Sequence, residues 1–202
     1  MGHKKEGKPK RAKHLREYFR LILVLTVISL ISGGVLAQTY KFANPRIEEN
    51  REKDTERAII EVLPGISTFE SVAIDGQIFY KGLDDRGRDV GVAFIVEAGG
   101  FQGVIRMMVG VDMESRQITG MKIIEHLETP GLGARINESW FQDQFKGKSL
   151  NDKFIPGEDV DAITGATVSS RAVSDGLKNS INRLLDLINS GKFTNVDMEG
   201  DR

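Results

Sequence analysis

A run of hydroxyl-bearing and very small residues, from Asp161 to Ser170, lies directly before a strongly periodic apolar segment. Apolar residues recur there every three to four positions, which predicts a helix; they are Val173, Leu177, Ile181, Leu184 and Ile188. The first turn of a helix has backbone N–H groups without partners inside the helix, and it carries about half a positive elementary charge. An anionic group such as a phosphate is therefore favoured where this run meets the helix.

The run also offers space and hydroxyl groups. Gly165 and Ala166 have little or no side chain, so a large ligand can approach the backbone between them. Four surrounding hydroxyls are candidate hydrogen-bond donors or attachment points; they belong to Thr164, Thr167, Ser169 and Ser170. The simpler interpretation is that Thr167 only caps the helix, because threonine is a common N-cap residue.

Two motifs together resemble the FMN-binding domain family. The segment D-x-x-T-G-A-T, from Asp161 to Thr167, is similar to the family's D-x-x-[S/T]-G-A-T signature. In that signature flavin mononucleotide (FMN) is attached by a phosphoester bond to the last threonine. The segment H-L-E-T-P-G-L-G, from His126 to Gly133, is similar to the family's H-x-E-T-P-G-[L/M]-G loop. The resemblance covers about residues 67–190 and departs from the commoner pattern only at Thr164, where serine is more usual.

The resemblance implies that FMN is bound covalently to Thr167 and that the other motif residues contact it. Those residues are Asp161, Thr164, Gly165, Ala166, His126, Glu128, Thr129 and Leu132. Glu128 and Thr129 are expected to offer polar contacts to the isoalloxazine ring and Leu132 apolar cover. A plain turn around Pro130-Gly131 is the alternative for that loop.

Formation of the phosphoester bond is expected to depend on a second protein. No residue near Thr167 in the sequence provides a general base to activate its hydroxyl, so Thr167 is not expected to be a catalytic residue. We expect a separate flavin transferase to form the bond. Asp161 then has three open roles: it could orient the hydroxyl, cap the bend, or be recognised by the transferase.

Within the family, the compact chain is most like the G subunit of the Rnf electron-transport complexes, and it is related to the C subunit of the sodium-translocating NADH:quinone oxidoreductases. This implies an electron carrier that works with the other membrane subunits of a redox-driven Na+ or H+ translocating complex. No complete enzymatic activity is expected from this chain alone. The alternatives are a stand-alone extracytoplasmic flavin reductase and a membrane-anchored assembly module without a redox role.

Charges are divided sharply along the chain. Residues 1–20 hold eight lysines or arginines and two glutamates, residues 21–40 hold no charged residue, and the remainder has a net charge of −7. A helix of 20 residues spans about 30 Å, the thickness of the hydrocarbon core of a membrane. The positive-inside rule places the basic tail in the cytoplasm and the domain outside the cytoplasmic membrane. A cleaved signal peptide is the alternative, because Val35-Leu36-Ala37 resembles a cleavage site.

The remaining patterns predict an α+β domain in which helices pack on an antiparallel sheet. A connecting helix at 41–65 is followed by the FMN-binding domain at 66–191 and a polar C-terminal tail at 192–202. From Gln77 onward, short apolar runs predict strands separated by polar or glycine-bearing turns, which favour antiparallel neighbours. A short helix is expected at 137–145, with an apolar side formed by Trp140, Phe141 and Phe145 that belongs to the core.

Several kinds of chemistry are excluded by the sequence. The chain has no cysteine, so it forms neither a disulfide nor a thiolate-ligated iron–sulfur or zinc site, and its three histidines lack metal-ligand spacing. It has neither a Walker lysine motif nor a Rossmann glycine motif. The basic tail lacks the interleaved aromatic residues typical of nucleic-acid binding, so no nucleic-acid partner is expected. Redox chemistry must therefore come from a bound cofactor.

Overall fold

A computed structural model describes residues 9–193. The predicted basic tail and C-terminal tail therefore lie partly outside the described residues, at 1–8 and 194–202. The chain divides into two units, one that ends at Arg51 and one that begins at Glu52. Each unit is described by itself.

The first unit is formed by helix α1, Pro9–Val62, whose last turns belong to the second unit. From Arg16 onward it is the one described helix that is long and apolar enough to cross a membrane. Between Tyr18 and Phe42 its large apolar side chains are exposed, which suits contact with lipid. The helix is continuous through the boundary predicted between residues 40 and 41, and Pro45 lies inside it.

The second unit contains a five-stranded antiparallel sheet in which strands that follow one another in sequence are neighbours. The strands are β1 Thr68–Ile74, β2 Gln77–Leu83, β3 Asp89–Gly99, β4 Val104–Asp112 and β5 Gln117–Glu125. The predicted antiparallel sheet is confirmed. Strand β1 was not predicted from the sequence, because it is a largely exposed edge strand with a weak apolar pattern.

Three helical segments follow the sheet: a 3-10 turn Gly133–Asn137, helix α2 Ser139–Asp143 and helix α3 Thr167–Asn189. In the region of α2, Phe141 and Phe145 are fully buried as predicted. The expectation that Trp140 joins them in the core is wrong, because its side chain is 43% exposed. It lies instead beside the guanidinium group of Arg135 and donates a hydrogen bond to Glu138.

Both faces of the sheet are covered within the second unit. On one face, Phe94 and Val109 pack against the apolar side of α3, where Val173 and Leu177 are fully buried. The opposite face, which includes Met108, is covered by the last turns of α1 and the residue after them. The central strands are therefore apolar on both sides, which explains their nearly continuous apolar sequences.

The end of α1 is seated where strands β4 and β5 carry glycines. A Cβ atom at Gly110 would collide with the Val62 carbonyl oxygen and the Thr119 hydroxyl, and one at Gly120 would lie 3.0 Å from the Val62 Cα atom. The Thr119 hydroxyl donates a 2.5 Å hydrogen bond to the same Val62 carbonyl. This bond satisfies an acceptor that the helix end would otherwise leave free. Glycine therefore allows helix and sheet backbones to approach closely.

Candidate functional site

The start of helix α3 has no side-chain cap. Thr167 is the first helical residue, and the N-cap position is occupied by Ala166, which has no hydrogen-bonding side chain. The simpler interpretation of Thr167 as an N-cap is therefore wrong. The first turn keeps its unpartnered N–H groups and its partial positive charge available for an anionic ligand.

A glycine in left-handed backbone conformation makes the bend before α3. Gly165 has φ +82°, a region that other L-residues rarely occupy. A Cβ atom there would also lie 3.3 Å from the Leu132 side chain, at the opposite wall of the site. Backbone geometry therefore favours glycine at position 165, and the absence of a side chain leaves space beside Leu132.

The four candidate hydroxyls differ in their exposure and hydrogen bonds. Ser170 donates to the Ala166 carbonyl at 3.1 Å and accepts from the Ile163 N–H at 3.0 Å, and Ser169 is buried as well. Thr164 and Thr167 are exposed. Of these two, only Thr167 faces the cavity described next. Thr167 is therefore the exposed hydroxyl of this group that lies within reach of a ligand in the cavity.

A cavity of about 390 Å³ lies at the start of α3. It is lined by Phe101, Glu128, Thr129, Leu132, Gly133, Gly165, Ala166, Thr167, Val168 and Ser169. The fold thus brings together the two motifs, which begin 35 positions apart in the sequence, at His126 and Asp161. The predicted contact residues His126, Asp161 and Thr164 are not among the described residues that line it.

Two of these three residues have backbone or ring contacts that fix neighbouring segments. The Asp161 N–H donates to the Gln144 side-chain oxygen at 2.6 Å, and its carbonyl accepts from the same side chain at 3.3 Å. This pair attaches the segment before Gly165 to the end of α2. The His126 Nδ1 atom accepts from the Glu128 N–H at 3.2 Å, which positions the start of the opposite loop.

Glu128 is buried, with 4% of its surface exposed. One carboxylate oxygen accepts hydrogen bonds from the N–H groups of Phe101 at 2.7 Å and Gln102 at 3.2 Å. The other accepts from the Ser169 hydroxyl at 2.5 Å. The Glu128 carboxylate thus has three donors from the protein itself.

The remainder of the ETPGLG loop is a tight turn. The Leu132 N–H donates to the Thr129 carbonyl at 3.2 Å, and Gly131 at the third position has φ +76°, as in a type II turn. The Thr129 hydroxyl accepts from the Gln102 side chain at 2.7 Å. The turn and the site coexist, because the turn directs Leu132 toward Gly165.

Exposed apolar side chains surround Thr167. Phe101 is 70% exposed, Leu132 is 48% exposed and Val168 is 54% exposed. A flat, largely apolar ring system would cover such surface. Phe101 and Val168 were missed in the sequence analysis, and the signal that could have found Phe101 is an aromatic residue placed inside the glycine-rich connection AGGFQG.

The loop that leads into the site is held by the carboxylate of Asp159. This carboxylate accepts from the Phe154 N–H at 2.8 Å and from the Ile155 N–H at 2.5 Å. Burial raises the pKa of Asp159, but the two backbone hydrogen bonds and the charge of Lys148 outweigh it, so the pKa lies below its ordinary value of 3.8. The ionised carboxylate therefore stabilises the folded loop.

The stability of the folded domain should depend on this group in acid. Because the pKa of Asp159 is lower in the folded state, its ionised carboxylate contributes to the free energy of unfolding. This contribution is complete above the unfolded-state pKa near 3.8, and it is lost as the pH falls through the folded-state pKa. Asp159→Asn should lower the free energy of unfolding at neutral pH by about 1–3 kcal/mol and flatten its decline in acid. Denaturant unfolding between pH 2.5 and 6 (roughly the window in which carboxylates titrate) measures both effects.

The neighbouring exposed carboxylate of Glu158 provides the control for this prediction. Glu158→Gln should change the free energy of unfolding by less than about 0.5 kcal/mol, because surface substitutions of this kind have small effects. Equal losses in the two variants would contradict the role given to Asp159.

Comparison with known proteins places this site in a family. The FMN-binding domain model matches residues 100–182, a range that contains both motifs and the cavity. The chain is 35% identical over 178 residues to the G subunit of the ion-translocating oxidoreductase complex of Methanosarcina acetivorans, covering 82% of this chain and 94% of that protein. The chain belongs to the family of G subunits of ion-translocating oxidoreductase complexes.

Another G subunit and a solved structure are also similar to this chain. The G subunit of the Na(+)-translocating ferredoxin:NAD(+) oxidoreductase complex of Acetobacterium woodii is 33% identical, covering 81% of this chain and 89% of that protein. The crystal structure of Shewanella oneidensis NqrC is 25% identical, with a TM-score of 0.45, and the match covers 54% of this chain and 61% of that one. The family resemblance drawn from the two motifs is thus confirmed, as is the FMN-binding domain.

Proposed function

We propose that this protein is a membrane-anchored electron carrier whose FMN is attached covalently to Thr167. The observation that carries the proposal is the position of Thr167. It is an exposed hydroxyl in the first turn of an uncapped helix, and it lines a cavity with exposed apolar walls. The first two features suit a phosphate ester, and the third suits a flavin ring.

Different residues around the cavity suit the phosphate and the ring of FMN. The N–H groups at the start of α3 would bind the phosphate, and Gly165 leaves room for it beside the backbone. Phe101, Leu132 and Val168 would cover the ring. When bound, FMN supplies reversible electron transfer, which the cysteine-free chain cannot perform with its own side chains.

Attachment joins the Thr167 oxygen to phosphorus. The hydroxyl proton is lost, the oxygen–phosphorus bond forms, and the bond from phosphorus to its previous oxygen substituent breaks. We propose that a flavin transferase supplies both the activated flavin nucleotide and the base, because the carboxylate that lines the cavity, Glu128, is already engaged by three donors. Thr167 is then the acceptor of a modification and not a catalytic residue.

Covalent attachment suits a domain outside the cytoplasm. A flavin that dissociated there would be lost, whereas a phosphoester bond keeps its local concentration permanently high. The attachment uses the phosphate end, so the electronic properties of the ring are set by the residues around it. The covalent bond therefore serves retention.

The partners proposed are the other membrane subunits of an Rnf-type complex. Relatives of this chain carry names that specify a ferredoxin:NAD(+) oxidoreductase complex, with Na(+) translocation in Acetobacterium woodii and proton translocation in Clostridium ljungdahlii. Family membership therefore supports coupling of electron transfer to cation movement without selecting the cation. Reduced ferredoxin or NADH would be handled by other subunits.

Redox cycling in the isolated complex tests this function. The flavin absorbance assigned to this chain should bleach when the complex receives its electron donor and recover when the acceptor is added. A flavin on this chain that stays oxidised throughout turnover of the complex would contradict the electron-carrier role.

The proposed orientation gives a separate prediction. Because the chain has no cysteine, one introduced cysteine is its only thiol for a membrane-impermeant maleimide. The experiment uses intact cells whose outer membrane is absent or has been made permeable. Glu158→Cys in the domain should then be labelled, whereas Lys8→Cys in the basic tail should be labelled only after lysis. The reverse pattern would invert the assigned topology.

A further inference from the structure

Glu128 joins three segments that form the cavity. Through its hydrogen bonds the carboxylate connects the turn between β3 and β4, the ETPGLG loop and the first turn of α3. Its last partner, Ser169, is two positions after Thr167. The carboxylate thus fixes Phe101 and the attachment residue relative to each other.

The space around the carboxylate is closed on two sides by glycines. A Cβ atom at Gly100 would collide with one carboxylate oxygen, and one at Gly133 would lie 2.5 Å from the other. The Cβ atom added at Gly133 would also lie 2.7 Å from the Ser169 hydroxyl oxygen. The two glycines therefore leave a space that the glutamate side chain fills, and a longer or wider side chain would displace the surrounding segments.

Among the residues that the structure describes, no cation contacts Glu128. All its hydrogen-bond partners within residues 9–193 are neutral N–H or O–H donors. A buried carboxylate whose partners are all neutral donors has no cation beside it to offset a negative charge, and a charge there acts strongly because the surroundings have a low dielectric constant. Any group beside it that gains an electron is therefore destabilised.

We propose that Glu128 is the positioning residue of the flavin site and that its charge lowers the reduction potential of the bound flavin. This inference rests on the proposed function, because it requires FMN in the cavity. The carboxylate would hold the surrounding protein segments in place, and its charge would act on the cofactor.

Two substitutions separate geometry from charge. In Glu128→Gln the amide oxygen can accept from the backbone N–H groups, and the amide NH₂ can donate to the Ser169 hydroxyl, which rotates to accept. Shape and hydrogen bonds are kept while the charge is removed. Glu128→Ala removes all three hydrogen bonds and leaves a void.

The experiment uses the full chain matured in its own host. Covalent flavin per chain is measured by intact-protein mass spectrometry, and the potential by a spectroelectrochemical titration. Glu128→Gln should keep its flavin and show a more positive potential than the wild type, whereas Glu128→Ala should lose several-fold in flavin content. Glu114→Gln, which removes an exposed charge in the turn between β4 and β5, should change neither quantity.

Ser169→Ala should shift the reduction potential in the opposite direction to Glu128→Gln. It removes one donor that partly compensates the carboxylate, so the potential should become more negative. A general loosening of the site would not shift the potential in opposite directions in Glu128→Gln and Ser169→Ala.

A wild-type potential in Glu128→Gln, or shifts of the same sign in Glu128→Gln and Ser169→Ala, would overturn the inference. So would full flavin content in Glu128→Ala. A wild-type chain without flavin would refute the proposed function itself, and it is distinguished by the same mass measurement.

Discussion

Thr167→Ala should abolish covalent flavin and reduce electron transfer through the assembled complex to background. The substitution removes the only cavity-facing hydroxyl among those in the motif that the structure leaves exposed. It should not disturb the fold, because the side chain is exposed and alanine is the best helix former. The free energy of unfolding should change by less than about 0.5 kcal/mol. Flavin fluorescence of the denatured chain and donor-to-acceptor activity of the complex measure the loss.

Thr164→Ala is the matched control. Thr164 is an exposed threonine three positions earlier in the same motif, and its side chain does not line the cavity. This variant should keep covalent flavin, and Thr167→Ser should keep it as well because the hydroxyl remains. Flavin retained in Thr167→Ala and lost in Thr164→Ala would assign the attachment to the other threonine.

Gly110→Ala should destabilise the domain by about 1–3 kcal/mol, the usual cost of overpacking a filled core. The added methyl group collides with the Val62 carbonyl and the Thr119 hydroxyl, which are the two groups that hold the end of α1 on the sheet. At about 2–4 °C per kcal/mol, the midpoint of thermal unfolding should fall by roughly 2–12 °C. Thermal unfolding of the full chain in detergent provides the measurement.

Gly99→Ala is the control for this prediction. Gly99 also lies in a strand and does not have a positive φ angle, and a Cβ atom there would meet nothing within 4 Å. Its unfolding midpoint should stay near that of the wild type. If Gly110→Ala is equally stable, the end of α1 is not held on the sheet as described.

Local patterns predicted the parts of the fold that depend on neighbouring residues. Helix α3 followed from its apolar spacing, and four strands followed from short apolar runs between polar turns. Strand β1 was missed because its side chains are mostly exposed, and exposed edge strands have no clear apolar alternation. The available signal was Asp75-Gly76, whose two positive φ angles form the tight hairpin turn between β1 and β2.

The site was predicted less completely, for a physical reason. Both motifs were found in sequence, and the fold does bring them to one cavity. The roles of Glu128 and Ser169 depend on a hydrogen bond between residues 41 positions apart, which no local pattern specifies. The same limit applies to Phe101, whose exposure beside Thr167 follows only from the sheet topology.

The most direct test of covalent attachment is the mass of the intact chain purified from its native host, with peptide mapping of the modification. We expect an increment of one FMN less one water, as a phosphoester bond requires, on the peptide that contains Thr167. A chain of unmodified mass, or an FMN increment that maps to a different residue, would contradict it.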